Sequence, residues 1–192
     1  GIAALCEDSG AATRILPIAQ DNLKSIEYIM GLAQDADVII TIGGASVGKY
    51  DLVNAATNNL GIDKSFYKVA MRPGKPLMAG KINNTPIIGL PGNPVSALVC
   101  GYVFIKPLIH AMQGLERKST PRLKALCSNP IPENGPREHY MRAVLLPNGC
   151  LKPMENQDSA RLALLSDSNA LLIRPPHAKA IPADTLCEYI KI

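Results

Sequence analysis

Strand and helix signals alternate over residues 1–114 and then stop, and this change limits the possible folds more than any other feature of the sequence. After Asp37 a nearly continuous apolar run extends to Ile42, which is typical of a parallel strand covered on both faces. Gly43-Gly44 then turns the chain, and a helix is predicted from about Asp51 to Asn59. Such alternation predicts an α/β fold with a doubly wound, mostly parallel sheet.

The rest of this first part carries signals of further helices and strands. The apolar segment from Val95 to about Met112 predicts a buried helix that is kinked or broken at Pro107, because an interior proline removes a hydrogen bond. A second helix, capped by Asp21 and running to about Asp35, is predicted to bury one face. That face comprises Leu23, Ile26, Ile29, Met30 and Ala33. Shorter elements are a helix over residues 2–7, strands over Thr13–Ile18 and Phe66–Met71, and a hairpin turn at Asn83-Asn84.

The pattern changes near residue 115. Residues 115–121 are charged and contain a proline, which is typical of a linker. Beyond them the segments are short and strand-like, separated by turn signals such as Pro147-Asn148-Gly149. We therefore predict an α/β domain over residues 1–114, a linker over 115–121 and a small β-barrel over 122–192. The barrel strands are predicted at Leu123–Cys127, His139–Leu146, Leu151–Met154, Ala170–Arg174 and Thr185–Lys191.

The composition narrows the class of protein. A net charge of +4 without a stripe of Lys and Arg does not indicate nucleic-acid binding, and it suits a small anionic substrate equally well. The five cysteines include no pair at metal-ligand spacing, so we expect reduced thiols in a cytoplasmic protein. No apolar run approaches the length needed to span a bilayer, so we expect no membrane association.

The first candidate site is the segment Thr41-Ile-Gly-Gly-Ala-Ser-Val-Gly-Lys-Tyr-Asp51, which follows the buried strand and opens a helix. Ligands of open α/β sheets bind at the carboxyl ends of strands, and adjacent glycines let backbone N–H groups approach an anion closely. A tight turn without a ligand explains the glycines as well, and a plain helix cap explains Asp51.

The same segment contains Gly44-x-Ser46-x-Gly48, the nucleophile-elbow pattern of α/β-hydrolases. That mechanism needs an acid and then a histidine downstream of the serine. The 3 histidines fall in the predicted buried helix or in the predicted β-domain, which disfavours the esterase alternative.

The second candidate site is Lys68-Val-Ala-Met-Arg72-Pro-Gly-Lys75-Pro76. Lys68 and Arg72 share one face of the predicted strand, roughly 13 Å apart if it is extended, and Lys75 follows in a Pro-Gly turn. Three cations along one strand end suit an elongated anion, with Arg as a rigid fork for a tetrahedral oxyanion. A solvated basic edge is the alternative, but the prolines and glycine stiffen the backbone as a binding site requires.

The third candidate site is Gly89-Leu-Pro91-Gly92-Asn93-Pro94-Val95-Ser96. Two prolines bracket Gly-Asn just before a buried helix, so a rigid loop presents backbone N–H groups and Ser96 at the start of that helix. Taken alone, an ordinary capped turn explains this segment as well.

Together the three segments resemble the molybdopterin molybdenumtransferase family, known as MoeA in bacteria and as the E-domain of gephyrin in animals. The family hallmarks are T-x-G-G-x-S-x-G with a following Asp, K/R-P-G-K-P, and G-L-P-G-N-P-V-S, and all occur here in order. The resemblance implies the third (α/β) and fourth (β-barrel) of four domains. We therefore expect a fragment of a longer protein that lacks the first two domains and the opening strand of the third.

The resemblance also implies roles for individual residues. Asp51 matches an active-site carboxylate near the cation or the reacting phosphate. Basic positions lining the pocket for molybdate and the molybdopterin phosphate are matched by Lys68, Arg72 and Lys75. Ser159 loosely matches a position that faces the cleft. The glycine turn and the loop beside the molybdate site are matched by Gly43, Gly44, Ser46, Pro91, Pro94 and Ser96.

Two departures from the family pattern make the local charge more positive. The family commonly has Asp-Asp where this chain has Gln20-Asp21, and an acidic residue where it has Lys49. The remaining candidate metal ligands are Asp21 and Asp51, and we expect weakened Mg²⁺ binding.

The implied activity is the insertion of molybdate into adenylylated molybdopterin, with Mg²⁺ as cofactor and release of AMP. In the family the active site lies between two subunits, so the resemblance implies a homodimer in which this chain supplies half of the site. A molybdopterin adenylyltransferase would supply the substrate. Two alternatives stay open: the related adenylyltransferase itself, against which the Pro-Gly-Lys-Pro segment and the β-domain argue, and a non-catalytic scaffold.

Overall fold

The computed structural model describes residues 1–43, 61–115, 119–158 and 163–192. The helices are α1 (Ile2–Asp8), α2 (Leu23–Gly31), α3 (Pro94–Cys100), α4 (Lys106–Met112) and α5 (Ala163–Ser166), with a π-helical turn at Gly101–Ile105. The strands are β1 (Ile39–Ile42), β2 (Ile62–Tyr67), β3 (Met71–Arg72), β4 (Met78–Ile82), β5 (Thr85–Leu90), β6 (Leu123–Cys127), β7 (Glu138–Leu145), β8 (Leu151–Pro153), β9 (Ala170–Arg174) and β10 (Thr185–Lys191).

The first sheet has the strand order β1-β5-β4-β2 and belongs to the α/β part of the chain. Strands β1 and β5 are parallel, whereas β4 pairs antiparallel with both β5 and β2, so the described sheet is mixed. The antiparallel part follows from the predicted hairpin turn at Asn83-Asn84, which is confirmed by the pairing of Ile82 with Thr85. The α/β class followed by a small barrel is confirmed.

Helix α2 differs from its prediction at both ends. The cap is Asn22, whose side-chain oxygen accepts a hydrogen bond from the backbone N–H of Ser25 at 2.9 Å, and not Asp21. The helix ends at Gly31 rather than near Asp35, and none of its residues is fully buried. The predicted strand Thr13–Ile18 is also wrong, because this segment pairs with none of the described strands.

The long apolar helix is continuous from Pro94 to Met112, and the predicted disturbance at Pro107 appears as the π-helical turn directly before it. With 19 residues and a mean hydropathy of 1.6, this helix has the length and composition of a membrane span, so the expectation that no apolar run approaches that length is wrong. A core helix of a soluble protein passes the same test, and here Val95, Val99 and Ile105 are almost completely buried.

The second sheet closes into a five-stranded barrel. Its order is β7-β8-β6-β10-β9, and β9 pairs back onto β7. The five predicted barrel strands are confirmed, with ends shifted by at most one residue. Its core is built from small and apolar side chains, among them Ala143, Leu151, Leu172 and Tyr189.

Strand β3 joins the two parts and overturns the prediction of one strand over Phe66–Met71. Strand β2 ends at Tyr67, and Lys68 follows with a φ of 73°, a left-handed conformation that a β-strand does not contain. The chain then forms β3, which pairs parallel with β7 of the barrel. Lys68 therefore lies outside both strands, whereas Arg72 lies in β3, and the two residues do not share a strand face. The main core crosses this junction, since Met71 packs in one cluster with Leu90, Val99, Tyr140, Leu171 and Ile173.

The proposed division into residues 1–114, 115–121 and 122–192 stays a prediction. Within the predicted linker, the side chain of Thr120 donates a hydrogen bond to the carbonyl oxygen of Tyr102 at 2.7 Å. The end of the linker is thus attached to the long helix. The predicted helix over Asp51–Asn59 lies outside the described residues.

Candidate functional site

A cavity of about 300 Å³ lies where the α/β part meets the barrel. Residues from four segments line it: Arg72 to Pro76 after β3, Val95, Ser96 and Val99 on α3, Arg137, His139, Tyr140 and Arg142 on or before β7, and Gln157 with Asp158. The cavity is rich in cations, because Arg72, Lys75, Arg137 and Arg142 face a single described lining carboxylate, that of Asp158. Such a cavity is suited to a small anion with several oxygens.

The segment from Arg72 to Pro76 is held against helix α3. The Arg72-Pro73 peptide is cis, and Gly74 has a φ of 109°. A Cβ on Gly74 would lie 2.5 Å from the Sγ of Cys100, so only glycine fits there. Burial raises the pKa of Cys100 to about 12, and its protonated thiol lies 3.9 Å from the carbonyl oxygen of Gly74. This packing holds the backbone between Arg72 and Lys75 in place.

Arg142 projects into the site from the barrel and is only 2% exposed. Its Nη2 donates hydrogen bonds to the carbonyl oxygens of Asn156 at 3.2 Å and Asp158 at 2.9 Å. Gln157 binds the backbone of Arg142 at two points, accepting from its N–H and donating to its carbonyl oxygen, both at 2.9 Å. Desolvation lowers the pKa of Arg142, and the nearby carboxylate of Asp158 partly offsets this. The loop after β8 and the cavity wall are therefore one connected unit.

His139 is a buried neutral member of the same wall. It is 8% exposed, and burial lowers its pKa to about 4, with the positive charges of Arg72, Arg137 and Arg142 contributing in the same direction. At neutral pH the imidazole is therefore uncharged. Sequence reasoning missed Arg137, His139 and Arg142 as site residues, although a histidine and an arginine inside an otherwise apolar predicted strand were a signal that could have found them.

The third candidate segment contributes Ser96 to the cavity. The side-chain oxygen of Asn93 accepts from the backbone N–H of Ser96 at 3.0 Å and from its hydroxyl at 3.1 Å, which caps helix α3. Pro94 occupies the first turn of that helix. Neither Pro91 nor Pro94 lines the cavity, so these prolines shape the loop without facing the anion.

The first and third segments come together at their glycines. The N–H of Gly43 donates to the carbonyl oxygen of Leu90 at 3.0 Å, and a Cβ on Gly92 would lie 3.4 Å from the Cα of Gly43. This contact places the end of β1 beside the loop before α3. The other predicted site residues of the first segment, Gly44, Ser46 and Asp51, lie outside the described residues, as does Ser159 in the barrel.

Two predicted charged site residues, Lys68 and Asp21, also do not line this cavity. The Nζ of Lys68 lies 4.9 Å from the centre of the Tyr67 ring, and Lys68 is not a lining residue. Asp21 is exposed in the turn before α2 and is not a lining residue either. Within residues 1–43, 61–115, 119–158 and 163–192, no three His, Cys, Asp or Glu side chains are grouped as a metal ion would require.

Two family models match the chain. The model described as "Probable molybdopterin binding domain" matches residues 1–111, and the one described as "MoeA C-terminal region (domain IV)" matches residues 124–192. The barrel cations of the cavity thus fall in the second match and the Arg72–Lys75 segment in the first.

Similar curated proteins carry related names. The chain is 35% identical to "Molybdopterin molybdenumtransferase 2" of Mycobacterium tuberculosis, over 96% of this chain and 47% of that protein. It is 32% identical to the molybdopterin molybdenumtransferase of Bacillus subtilis, over 88% of this chain and 40% of that protein. It is 30% identical to gephyrin of Dictyostelium discoideum, over 84% of this chain and 26% of that protein. The chain spans about half, or less, of the length of these relatives.

Among solved structures, the molybdopterin biosynthesis MoeA protein of Pyrococcus horikoshii matches with a TM-score of 0.79. The match covers all of this chain and 45% of that one, at 18% identity. This likeness supports the fold described above.

Proposed function

Since this chain belongs to the family of probable molybdopterin-binding domains and continues into a MoeA C-terminal region, we propose that it takes part in inserting molybdate into adenylylated molybdopterin with release of AMP. The observation that carries this proposal is the cation-rich cavity between the α/β part and the barrel. Molybdate is a tetrahedral dianion, and the substrate adds phosphate groups. Their combined negative charge requires a site with fixed cations.

The cations of the proposed molybdate site differ from those expected from the sequence. Arg72 and Lys75 approach from one side, Arg137 and Arg142 approach from the barrel, and Lys68 does not line this cavity. Guanidinium groups offer two parallel donors to an oxyanion, and Lys75 adds a point charge. Ser96 contributes a hydroxyl, already oriented by Asn93. These residues would bind and orient the anion and would lower the repulsion between it and the substrate phosphates.

The barrel favours this proposal over the related adenylyltransferase. An adenylyltransferase explains the α/β part alone, whereas Arg137, His139 and Arg142 of the barrel line the same cavity as Arg72 and Lys75. A non-catalytic scaffold would not explain why four cations line the same cavity.

Magnesium stays a separate part of the proposal. The carboxylates that the structure describes form no ligand set, since Asp158 alone lines the cavity and Asp21 is exposed elsewhere. The described residues therefore do not fit a Mg²⁺ site, and we assign no step to this ion. Asp51, the other candidate ligand, lies outside the described residues.

The assembly is also proposed rather than observed. We propose a cytoplasmic homodimer in which the chain supplies part of each active site, with a molybdopterin adenylyltransferase acting before it. The support is the family resemblance described above, and the Mycobacterium tuberculosis relative, of which the chain covers 47%, is long enough to hold further parts of such a site.

The test is a calorimetric titration with molybdate and with adenylylated molybdopterin at pH 7. Lys75→Ala should weaken binding at least tenfold, about 1.4 kcal/mol, because it removes a cavity cation. Lys68→Ala is the matched control, since it removes a lysine of the same segment that does not line the cavity, and it should bind as the wild type does. Equal binding by Lys75→Ala and the wild type would overturn the assignment of this cavity.

A further inference from the structure

His139 occupies an unusual position among positively charged side chains. On β3, Arg72 is its register partner, and on the other side Arg174 of β9 is directly opposite it. Arg137 precedes it by two residues, and Arg142 follows on the same strand. The strand register thus places His139 between Arg72 and Arg174, and its side chain lines the same cavity as those of Arg72, Arg137 and Arg142.

Two of these arginines donate hydrogen bonds to backbone carbonyl oxygens, which are neutral groups. The guanidinium of Arg174 is bound by backbone carbonyl oxygens, those of Pro132 and Ala178 at 3.5 Å and that of Lys179. Arg142 is bound by carbonyl oxygens of the loop after β8. The cavity wall that includes His139 therefore carries the cations Arg72, Lys75, Arg137 and Arg142, with Asp158 as the single described carboxylate. A proton on His139 is unfavourable while the cavity holds no anion.

We propose that His139 takes up a proton when a tetrahedral oxyanion enters the cavity and then donates an N–H hydrogen bond to that anion. This inference deepens the proposed function, because it rests on the cavity being the oxyanion site. A dianion beside the imidazole opposes the charges of Arg72, Arg137 and Arg142, and it also provides an acceptor for the new N–H. Both effects favour the charged imidazole against the desolvation that disfavours it.

The consequence is a pH-dependent affinity. If the complex binds one proton more than the free protein, anion binding tightens as the pH falls. The free protein has a His139 pKa of about 4, so the window lies between that pH and the higher pKa in the complex. Arginine side chains do not titrate in this range. The remaining titratable groups on the cavity wall are Asp158, Tyr140 and Lys75, and for this reason the test needs a variant at His139 itself.

The experiment is a calorimetric titration with sulfate, a tetrahedral dianion that, unlike molybdate, does not condense in acid. Titrations between pH 5 and pH 8 in buffers of different ionisation enthalpy count the protons taken up. We expect the wild type to take up as much as about one proton per anion at the lower end of this range. His139→Gln, which keeps a donor but cannot titrate, should take up none, and His110→Gln on α4 should behave as the wild type does.

A second measurement follows the titration of His139 directly in the wild type. The chain has 3 histidines, so His139 can be followed by its imidazole C–H signals in NMR spectra, assigned by their loss in His139→Gln. Saturating sulfate should raise the pKa of His139 from about 4.

The possible outcomes separate this inference from the proposed function. Binding that depends on Lys75 but releases or takes up no proton in the wild type, with an unmoved His139 titration, would overturn the inference and leave the oxyanion site intact. No Lys75-dependent binding of either molybdate or sulfate would overturn both. Proton uptake that persists in His139→Gln would assign the coupling to another group and also overturn the inference.

Discussion

The Sγ of Cys100 on α3 lies against the backbone of Gly74, 3.9 Å from its carbonyl oxygen, and fills the space that a side chain at residue 74 would need. This contact fixes the turn between Arg72 and Lys75, the two cavity cations that come from the α/β part. The shape of the site on this side therefore depends on a buried thiol that does not line the cavity.

Gly74→Ala should therefore destabilise the protein and weaken anion binding. The new Cβ would meet Cys100 at 2.5 Å and Met71 at 3.2 Å, at a φ of 109°. Strain and overpacking together should lower the free energy of unfolding by about 2–5 kcal/mol. Urea denaturation followed by circular dichroism measures this change.

Gly149→Ala is the matched control for that substitution. Gly149 also has a positive φ, 81°, but nothing lies within 4 Å of its ideal Cβ. Gly149→Ala should lower the free energy of unfolding by only about 1–2 kcal/mol, from backbone strain alone. If both variants lost the same amount, the contact between Gly74 and Cys100 would have no role. Adding Cys100→Ala to Gly74→Ala should recover part of the loss.

Protonation of His139 should make the protein less stable in acid. Its pKa is lowered from 6.5 to about 4 in the folded state, so between these values the unfolded chain binds more protons. The free energy of unfolding therefore falls as the pH drops from 6.5 towards 4, by at most about 3 kcal/mol, and this contribution is fully retained above 6.5. Urea midpoints at pH 7.5, 6, 5 and 4.5 measure the change.

Carboxylates can also contribute to the pH dependence of stability in acid. The quantity to compare is therefore the difference between the stability profiles of the wild type and His139→Gln. The variant should show a shallower decline of stability with falling pH. Parallel stability profiles for the two proteins would contradict a buried neutral imidazole at residue 139.

Gln157→Glu should loosen the loop that carries Asp158. The side-chain amide of Gln157 donates to the carbonyl oxygens of Arg142 and Met154, at 2.9 and 2.8 Å, and a carboxylate cannot donate to either. The two lost hydrogen bonds, and the repulsion between the new carboxylate and the two carbonyl oxygens, should lower the free energy of unfolding by about 1–3 kcal/mol. Sulfate affinity should fall as well, because a negative charge is added at the cavity wall.

Gln113→Glu provides the control for this change. Its side chain donates one hydrogen bond to the carbonyl oxygen of Ser9 at 3.1 Å and does not line the cavity. It should leave sulfate binding unaltered. The same loss of affinity in both variants would mean that net charge, and not the position of Gln157, determines the effect.

Cys100 should resist alkylation in the native protein. Burial raises its pKa to about 12, so the reactive thiolate is rare, and the side chain is inaccessible. Iodoacetamide labelling followed by peptide mass spectrometry should modify Cys150, which is partly exposed, well before Cys100. Comparable labelling of both thiols without denaturant would show that α3 separates from the segment at Gly74.

The amino-acid sequence determined the local elements wherever one signal dominated. Short strand-like segments between turn signals placed the barrel strands to within one residue, and Asn83-Asn84 between two such segments placed the hairpin turn. Arg72, Lys75 and Ser96, proposed from proline- and glycine-rich segments, do line one cavity. Such signals act over a few residues and can therefore be read along the chain.

Tertiary structure decided which of these residues meet. Lys68 appeared to belong with Arg72, but its left-handed backbone ends β2, and Arg72 then pairs with a barrel strand that begins 66 residues later in the chain, at Glu138. The same pairing brings His139 between Arg72 and Arg174. The lowered pKa of His139 follows first from burial and then from the charges of the distant Arg72 and of the nearby Arg137 and Arg142. Electrostatic fields and burial depend on distances in space, which neighbouring positions in a sequence do not specify.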